Sequence, residues 1–533
     1  MKIKFFYCLF IVLFGILGLA ESSLAANYPL EIINIKPAGT GSPAIPSTNR
    51  IFRAYPGIEY NIRAAVIGGL YPFTYSLSNA PSGMTINSKT GEISWPNPQA
   101  NSGIITLSVT DAENTTVTTT WAITVSTSGF YFVDGSYGGT ETGSITQPFS
   151  SLSNMFAGTS SDEDIIYFRA GTYPVYQYNQ YQPSDGASMR LAGKSHTWLA
   201  YQSETVIFTG PDNAYIRGWG HPVYFDGLTF MNFTNRAMMI WGGENYQTIR
   251  RSVFDNVTAN SAINNNYGFI YTTSAGNLTY GYYFVIQDND FSHWTGASGI
   301  GSIYSIGKAL IENNYFHDTN GGGLSGINNA MGLKANIYNL FVRGNKVIVD
   351  SGYVFGTNMN SQFANSDNVD VSFNYFKSSV NNRTNGMVHS LNGFGGAVGM
   401  PLNNFYYYRN TVEGDISIAR MNGATCAYSD GGPFIFNNNV IINPNTDVSG
   451  YRRALNYFYY GWDDSSTILN CLTDSNNLKG VSATGIIDSN GLLTAGYSSS
   501  LGTRGWQLAD GSTPMGAGSD TTPPASPTGL SVV

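Results

Sequence analysis

The sequence predicts an all-β protein in two parts, a small strand-rich module followed by a long β-solenoid. Three observations predict it. Short alternating apolar and polar runs, bounded by Gly, Pro and Asn, fill the chain from residue 60 onward. A short strand pair joined at an asparagine recurs, its anchors 25, 31, 29, 36 and 29 residues apart. Aromatics reach 14% while charged residues are only 11%, a balance that strands and tight turns favour. At 533 residues the chain is long enough for more than one domain.

The N-terminus reads as a processing signal. Lys2 and Lys4 precede an apolar run from Phe5 to Ala20, and Ser23, Leu24 and Ala25 supply a small-residue cleavage site. The run is short for a bilayer span of about 20 residues, and no later segment is apolar for long enough. Residues 1–26 are therefore expected to be a signal peptide. The mature chain is expected to be secreted, extracellular or held at a cell surface by a partner, with no transmembrane segment. Cleavage removes two lysines and Glu21, so 26 basic and 34 acidic residues become 24 and 33, a formal charge of −9. A sparse, acidic surface excludes nucleic acid, which needs clustered Lys and Arg. The Tyr, Trp, Asn and Gly content suits polysaccharide. Cys8 leaves with the signal, and Cys426 and Cys471 remain where they either pair or stay as buried thiols. Two Cys and five scattered His make no zinc site.

Residues 27–127 form the module. Alternation is visible in "YNIRAAVIGG", "FTYSLS", "GIITLSVTD" and "TTTWAITVS". The segment around "PSGMTIN" and "TGEISW" resembles the Ig-like or cadherin-like domains that bacteria attach to exported enzymes and adhesins, which implies a β-sandwich. Asp111 and Glu113 are carboxylates that calcium would favour, but a solvated turn is the simpler reading, so calcium stays open as a cofactor. The module is expected to be a spacer or a weak contact.

Residues 128–518 form the solenoid. The aligned runs "VIQDNDF", "LIENNYF", "FVRGNKV", "DVSFNYF", "YYYRNTV" and "IFNNNVI" share Asn289, Asn314, Asn345, Asn374, Asn410 and Asn439. Each coil must turn sharply, Asn tolerates left-handed backbone, and stacked amides bond as a ladder. These asparagines are thus corners, not catalysts. "ENN" ends one wall and "YFHD" begins the next. The entry "GTETGSITQPF", with Gly171, Thr172 and Tyr173, resembles the N-terminal cap of right-handed parallel β-helices of the pectate-lyase-like superfamily. Residues 519–533 are a Pro-rich tail.

That resemblance implies a substrate groove on the strand 10 to 20 residues before each corner. "GSIYSIG", "MGLKAN", "GYVFGTN", "GMVHSLN", "ISIARMN" and "LNYFYYG" occupy this place, bringing Tyr304, Lys334, Tyr353, His389, Arg420 and Tyr457. Cleavage of a uronic-acid polymer by β-elimination needs a cation on the carboxylate and a base for the α-proton. Arg420 is the expected cation, Lys334 or His389 the expected base, and Tyr304, Tyr353 and Tyr457 the expected substrate contacts. Arg343, nearer the corner, is a weaker candidate. His317 with Asp318, and His293 beside Trp294, read as surface residues. Asp463 and Asp464 point to opposite strand faces and make no hydrolytic pair alone. No motif of a characterised lyase family is present, and fold does not fix function. The alternative to an enzyme is a non-catalytic adhesion or structural rod.

Overall fold

The computed structural model describes residues 28–41, 44–159 and 163–175, then the strands and corners of successive coils as far as 481. The intervening segments, residues 1–27 and residues 482–533 lie outside the described residues, and with them Tyr353, Cys426, Cys471, Asp463 and Asp464.

The module is an antiparallel sandwich. Tyr60–Arg63 pairs with Glu92–Trp95, which also pairs with Thr85–Ile86. Ile104–Thr110 lies between Thr74–Ser78 and Thr116–Ala122. Alternation decides which side chains enter the core. Ile105, Leu107 and Val109 are buried while Thr106, Ser108 and Thr110 are only partly covered. Asp111 is a turn residue, as its surroundings predict. Its carboxylate accepts from the backbone N–H groups of Leu70, Glu113 and Thr115.

From Phe130 the chain winds into a parallel β-helix. Each coil contributes to three stacked sheets, here called first, second and third in the order the chain visits them before and after the asparagine corner. All pairings between coils are parallel, as a coiled solenoid requires. A short helix, Leu152–Gly158, closes the starting end. The Ser151 side chain caps it by accepting from the Asn154 N–H. Phe149, Leu152, Met155 and Phe156 plug the first coils. Inside, Phe208, Phe230, Phe254, Phe291 and Phe316 stack ring on ring along the third sheet, their centroids 5.5, 5.0, 4.8 and 4.5 Å apart.

The asparagine corner lies between the second and third sheets, and the ladder forms as expected. Asn289, Asn314, Asn345, Asn374 and Asn410 each donate Nδ2–H to Oδ1 of the next rung, at 3.0 to 3.2 Å, ending on Asn439. Each rung's backbone N–H also donates to that same oxygen. Each second amide hydrogen meets a backbone carbonyl, such as Ile286 for Asn314 and Ile311 for Asn345. The asparagine of the rung is not itself the left-handed residue, contrary to expectation. The left-handed position is the residue before each rung: Asp288 (φ 59°), Asn313 (56°), Gly344 (65°), Phe373 (56°) and Arg409 (53°). The rung is Asn because only an amide offers two donors and a doubly accepting oxygen at that spot.

A second ladder lies on the outer face of the second sheet. Asp226, Arg250, Gln287, Glu312 and Arg343 occupy one register row across five coils. This row is buried because the module lies on it. Arg63 pairs with Asp288 and with Glu312 (3.1 Å). Arg343 holds the other Glu312 oxygen at 2.7 Å and donates to the Val66 carbonyl. Arg250 reaches Asn61 at 2.8 Å, and Gln287 reaches the Ala64 carbonyl at 3.3 Å. Alongside, Tyr246, Tyr283, Val285, Leu310 and Phe341 join the module's apolar core in one cluster. Tyr71 meets Phe373 edge-on at 4.8 Å. The module is docked along the helix and is not a free spacer.

Candidate functional site

The first sheet carries the residues singled out from the sequence. Tyr304 lies on Ser298–Ile306, Lys334 on Met331–Arg343, His389 on Met387–Phe394, Arg420 on Asp415–Arg420 and Tyr457 on Leu455–Tyr459. These strands, with Phe355–Asn358 among them, are consecutive neighbours in the sheet. Register separates the trio. Ile300, Met331, Phe355 and His389 form one row, and Ile416 continues it. Lys334 sits three residues beyond Met331, and Arg420 four beyond Ile416. Parallel strands step about 4.8 Å apart and rise about 3.3 Å per residue, which puts the three α-carbons about 14–15 Å from one another. Ile300 and Met331 belong to the core, so the row of His389 is a core row at those coils. Tyr457 follows Ile418, Leu391, Thr357 and Leu333 in a single row.

Arg343 lies apart from these residues, on the second sheet in register with Glu312. It is buried between Glu312, the Val66 carbonyl and the Phe73 ring, 4.6 Å from that ring's centroid. Glu312 holds it charged, against the cost of burial.

The third sheet brings together side chains that the sequence left as scattered surface groups. His317 Nε2 lies 2.8 Å from Asp290 and its Nδ1 2.7 Å from Asp318. One coil back, Asp255 meets both Ser292 (2.8 Å) and His293 (2.6 Å). Burial opposes charge on His317, but the hydrogen bonds to Asp290 and Asp318 outweigh it and raise its pKa. With both nitrogens engaged, this imidazole is a poor base. The Tyr315 ring stacks on it at 4.2 Å, and burial lifts that phenol to about 12. Lys346 lies over the Tyr315 ring, 5.1 Å from its centroid, and burial lowers its pKa. The sequence signal was present in the shared row of Asp290, Tyr315 and Lys346. It was hidden because the row is spread over 56 residues of chain (346 − 290).

Among the described residues no group of three or more His, Cys, Asp or Glu is placed to hold a metal ion. Among the same residues no helix is long and apolar enough to cross a membrane.

The class these features define is a two-part all-β protein, an Ig-like sandwich docked on a parallel β-helix. Residues 43–126 match the family model described as "Putative Ig domain". No curated protein matches the chain. Among solved structures it is similar to a rhamnogalacturonan lyase, at 13% identity over 70% of this chain and 99% of that one, with a TM-score of 0.36. It is also similar to pectate lyase Pel9A, at 14% identity over 74% of this chain and 90% of that one, with a TM-score of 0.34.

Proposed function

We propose that this is an exported protein whose β-helix binds a uronic-acid polysaccharide along the first sheet and cleaves it by β-elimination, with hydrolysis as the second reaction. The observation that carries this reading is the run of consecutive first-sheet strands bearing Tyr304, Lys334, His389, Arg420 and Tyr457. A polymer lying across the coils meets one strand after another. Lys334 is taken as the base, with His389 as the alternative, on first-sheet strands two apart. Arg420 holds the carboxylate of another sugar of the same polymer and so fixes its register on the sheet. Tyr304, Tyr353 and Tyr457 contact the sugar rings. The 14–15 Å spacing suits neighbouring subsites of one polymer.

That same spacing favours a second reading, a surface rod that holds a glycan without cutting it. The docked module stiffens such a rod. One assay separates the two. Purified mature protein is incubated with pectate, alginate, glycosaminoglycans and neutral glycans, with calcium and then with EDTA. A new ultraviolet absorbance from an unsaturated sugar identifies elimination, and Lys334→Ala then lowers its rate by about 100-fold or more. Reducing ends without absorbance identify hydrolysis. Binding without either product establishes the rod, and an unaffected Lys334→Ala enzyme removes Lys334 from the chemistry.

A further inference from the structure

Elimination at a uronate needs a partner for the carboxylate as well as a base, because charge moves onto that carboxylate as the α-proton leaves. Lys334 cannot serve both ends, since a lysine that accepts the proton must start neutral. Arg420, about 14–15 Å away by register, serves another sugar. The strand register shows which polar residues stand closer.

Gly332 pairs with Gly356 and Leu333 with Thr357, so the residues that follow, Lys334 and Asn358, share a row. Asn358 pairs in turn with Asn392. The three stand on successive first-sheet strands, Met331–Arg343, Phe355–Asn358 and Met387–Phe394. From one strand to the next their α-carbons are thus about 4.8 Å apart. Alternation decides the face. Met331 is a core residue, as are Met238 and Ile240 on an earlier strand of this sheet. Positions an odd number of residues from Met331 therefore belong to the outer face, and Lys334 is three residues on. Two residues back on the same face, Gly356, Ser390 and Ser417 align in a row of small residues. A polymer crossing the strands there meets little bulk, with the polar row at its side. An amide donates to a carboxylate without bringing charge. Two amides one strand apart offer a donor to each carboxylate oxygen.

We propose that Asn358 and Asn392 hold the carboxylate of the sugar on which Lys334 acts, so that this place selects a uronate over its ester. The proposal rests on the first sheet being the polymer's binding face. The test is equilibrium binding of the intact mature protein to polygalacturonate and to alginate, each beside its methyl ester, with EDTA present. The native chain is expected to prefer one of the acid polymers to its ester. Asn358→Asp sets a negative charge against the carboxylate. It is expected to weaken binding of that acid polymer by about tenfold or more, to leave binding of the ester unchanged and to keep the native thermal midpoint. Asn392→Asp is expected to act in the same direction. Equal affinity of the native chain for acid and ester, or undiminished acid binding in Asn358→Asp, would overturn the proposal and leave the first sheet as the binding face. Equal loss for acid and ester with a lowered midpoint would also overturn it, and make the two amides a structural ladder. Binding that appears only when calcium replaces EDTA would give the carboxylate to a cation instead. No binding of either polymer by the native chain, with calcium or without, would sink the first-sheet reading and this proposal with it.

Discussion

The two polar ladders of the β-helix solve the same problem in opposite ways. The asparagine ladder repeats one residue, and each rung supplies what the next rung lacks. It closes on itself in a buried corner with no outside help. The charged ladder on the second sheet uses Asp226, Arg250, Gln287, Glu312 and Arg343, all different in length and polarity. It cannot close on itself. Arg63, Asn61 and the carbonyls of Ala64 and Val66 are brought in from the module to complete it. Even so, Arg250 Nε and Nη2 and Gln287 Oε1 find no hydrogen-bond partner among the described residues, although Nη2 lies 3.7 Å from Glu92. A row of identical polar groups is self-sufficient in a solenoid, whereas a row of unlike ones defines a docking surface.

The sharpest way to break this contrast is in the first ladder. Asn345→Ala leaves the Asn314 backbone N–H, one Asn314 amide hydrogen and the Ile311 carbonyl without their partner. At about 1–3 kcal/mol for each unsatisfied group, the expected loss is about 3–6 kcal/mol in denaturant unfolding. A loss below about 1 kcal/mol would mean that water replaces the rung. Next comes the second ladder. Glu312→Ala strands Arg63 and Arg343 at a buried junction, with an expected loss of about 3–5 kcal/mol. The expected sign of its failure is limited proteolysis that releases the module before the helix melts. Simultaneous loss of both parts would show that the ladder does not act as a docking surface.

The pH dependence sharpens the comparison further. Asp370 lies two residues off the row of Arg343 on the neighbouring coil, paired in register with Phe341. Burial pushes it from 3.8 up to about 6, against the hydrogen bonds from Ser372 and Tyr408. A carboxyl raised on folding favours the folded state when protonated. Its contribution is therefore full below about pH 4 and is lost as pH rises through about 6. The difference of about 2.2 is worth about 3 kcal/mol, at about 1.36 kcal/mol for each pH unit. Asp370→Asn is expected to flatten the stability profile between pH 4 and 6, and an unchanged slope would acquit Asp370. The smallest effect belongs to the third sheet. The raised pKa of His317 gives stability that is full below about 6.5 and fades as pH climbs through its higher folded value. For a partly exposed cluster this is within about 1 kcal/mol. Proton NMR of the His317 ring in native protein and in Asp290→Asn would show its midpoint fall in the variant.

The sequence made the first ladder legible and left the second invisible, and the reason is physical. Asn289 to Asn439 are six copies of one residue in one local context, so their period can be read directly. The second ladder changes identity at every rung, and its partners lie far away in the chain. Arg63 pairs with residues 225 and 249 positions on, separations that leave no local pattern. For the same reason Arg343 reads as a candidate for chemistry when it is a docking residue. The left-handed position was misplaced by one residue because "ENN" offers two asparagines and the sequence does not say which one turns. The strands bearing Lys334, His389 and Arg420 were legible from their distance to the corner. Their staggered rows were not, because register depends on how many residues each loop consumes between strands.

The left-handed residue before each rung has a consequence for how this protein can change length. Arg251, Asp288, Asn313, Gly344, Phe373 and Arg409 all occupy that turn position, and two of them, Asp288 and Phe373, reach the module directly. A duplicated coil would keep the asparagine stack intact wherever it was inserted. Inserted between Asp226 and Phe373, however, it would carry one set of contacts a full coil, about 4.8 Å, out of step with a sandwich of fixed dimensions. Insertion or deletion of a whole coil is thus expected to be tolerated best in the coils after Phe373. The module acts as a ruler that fixes the count of the early coils and leaves the later ones free to vary.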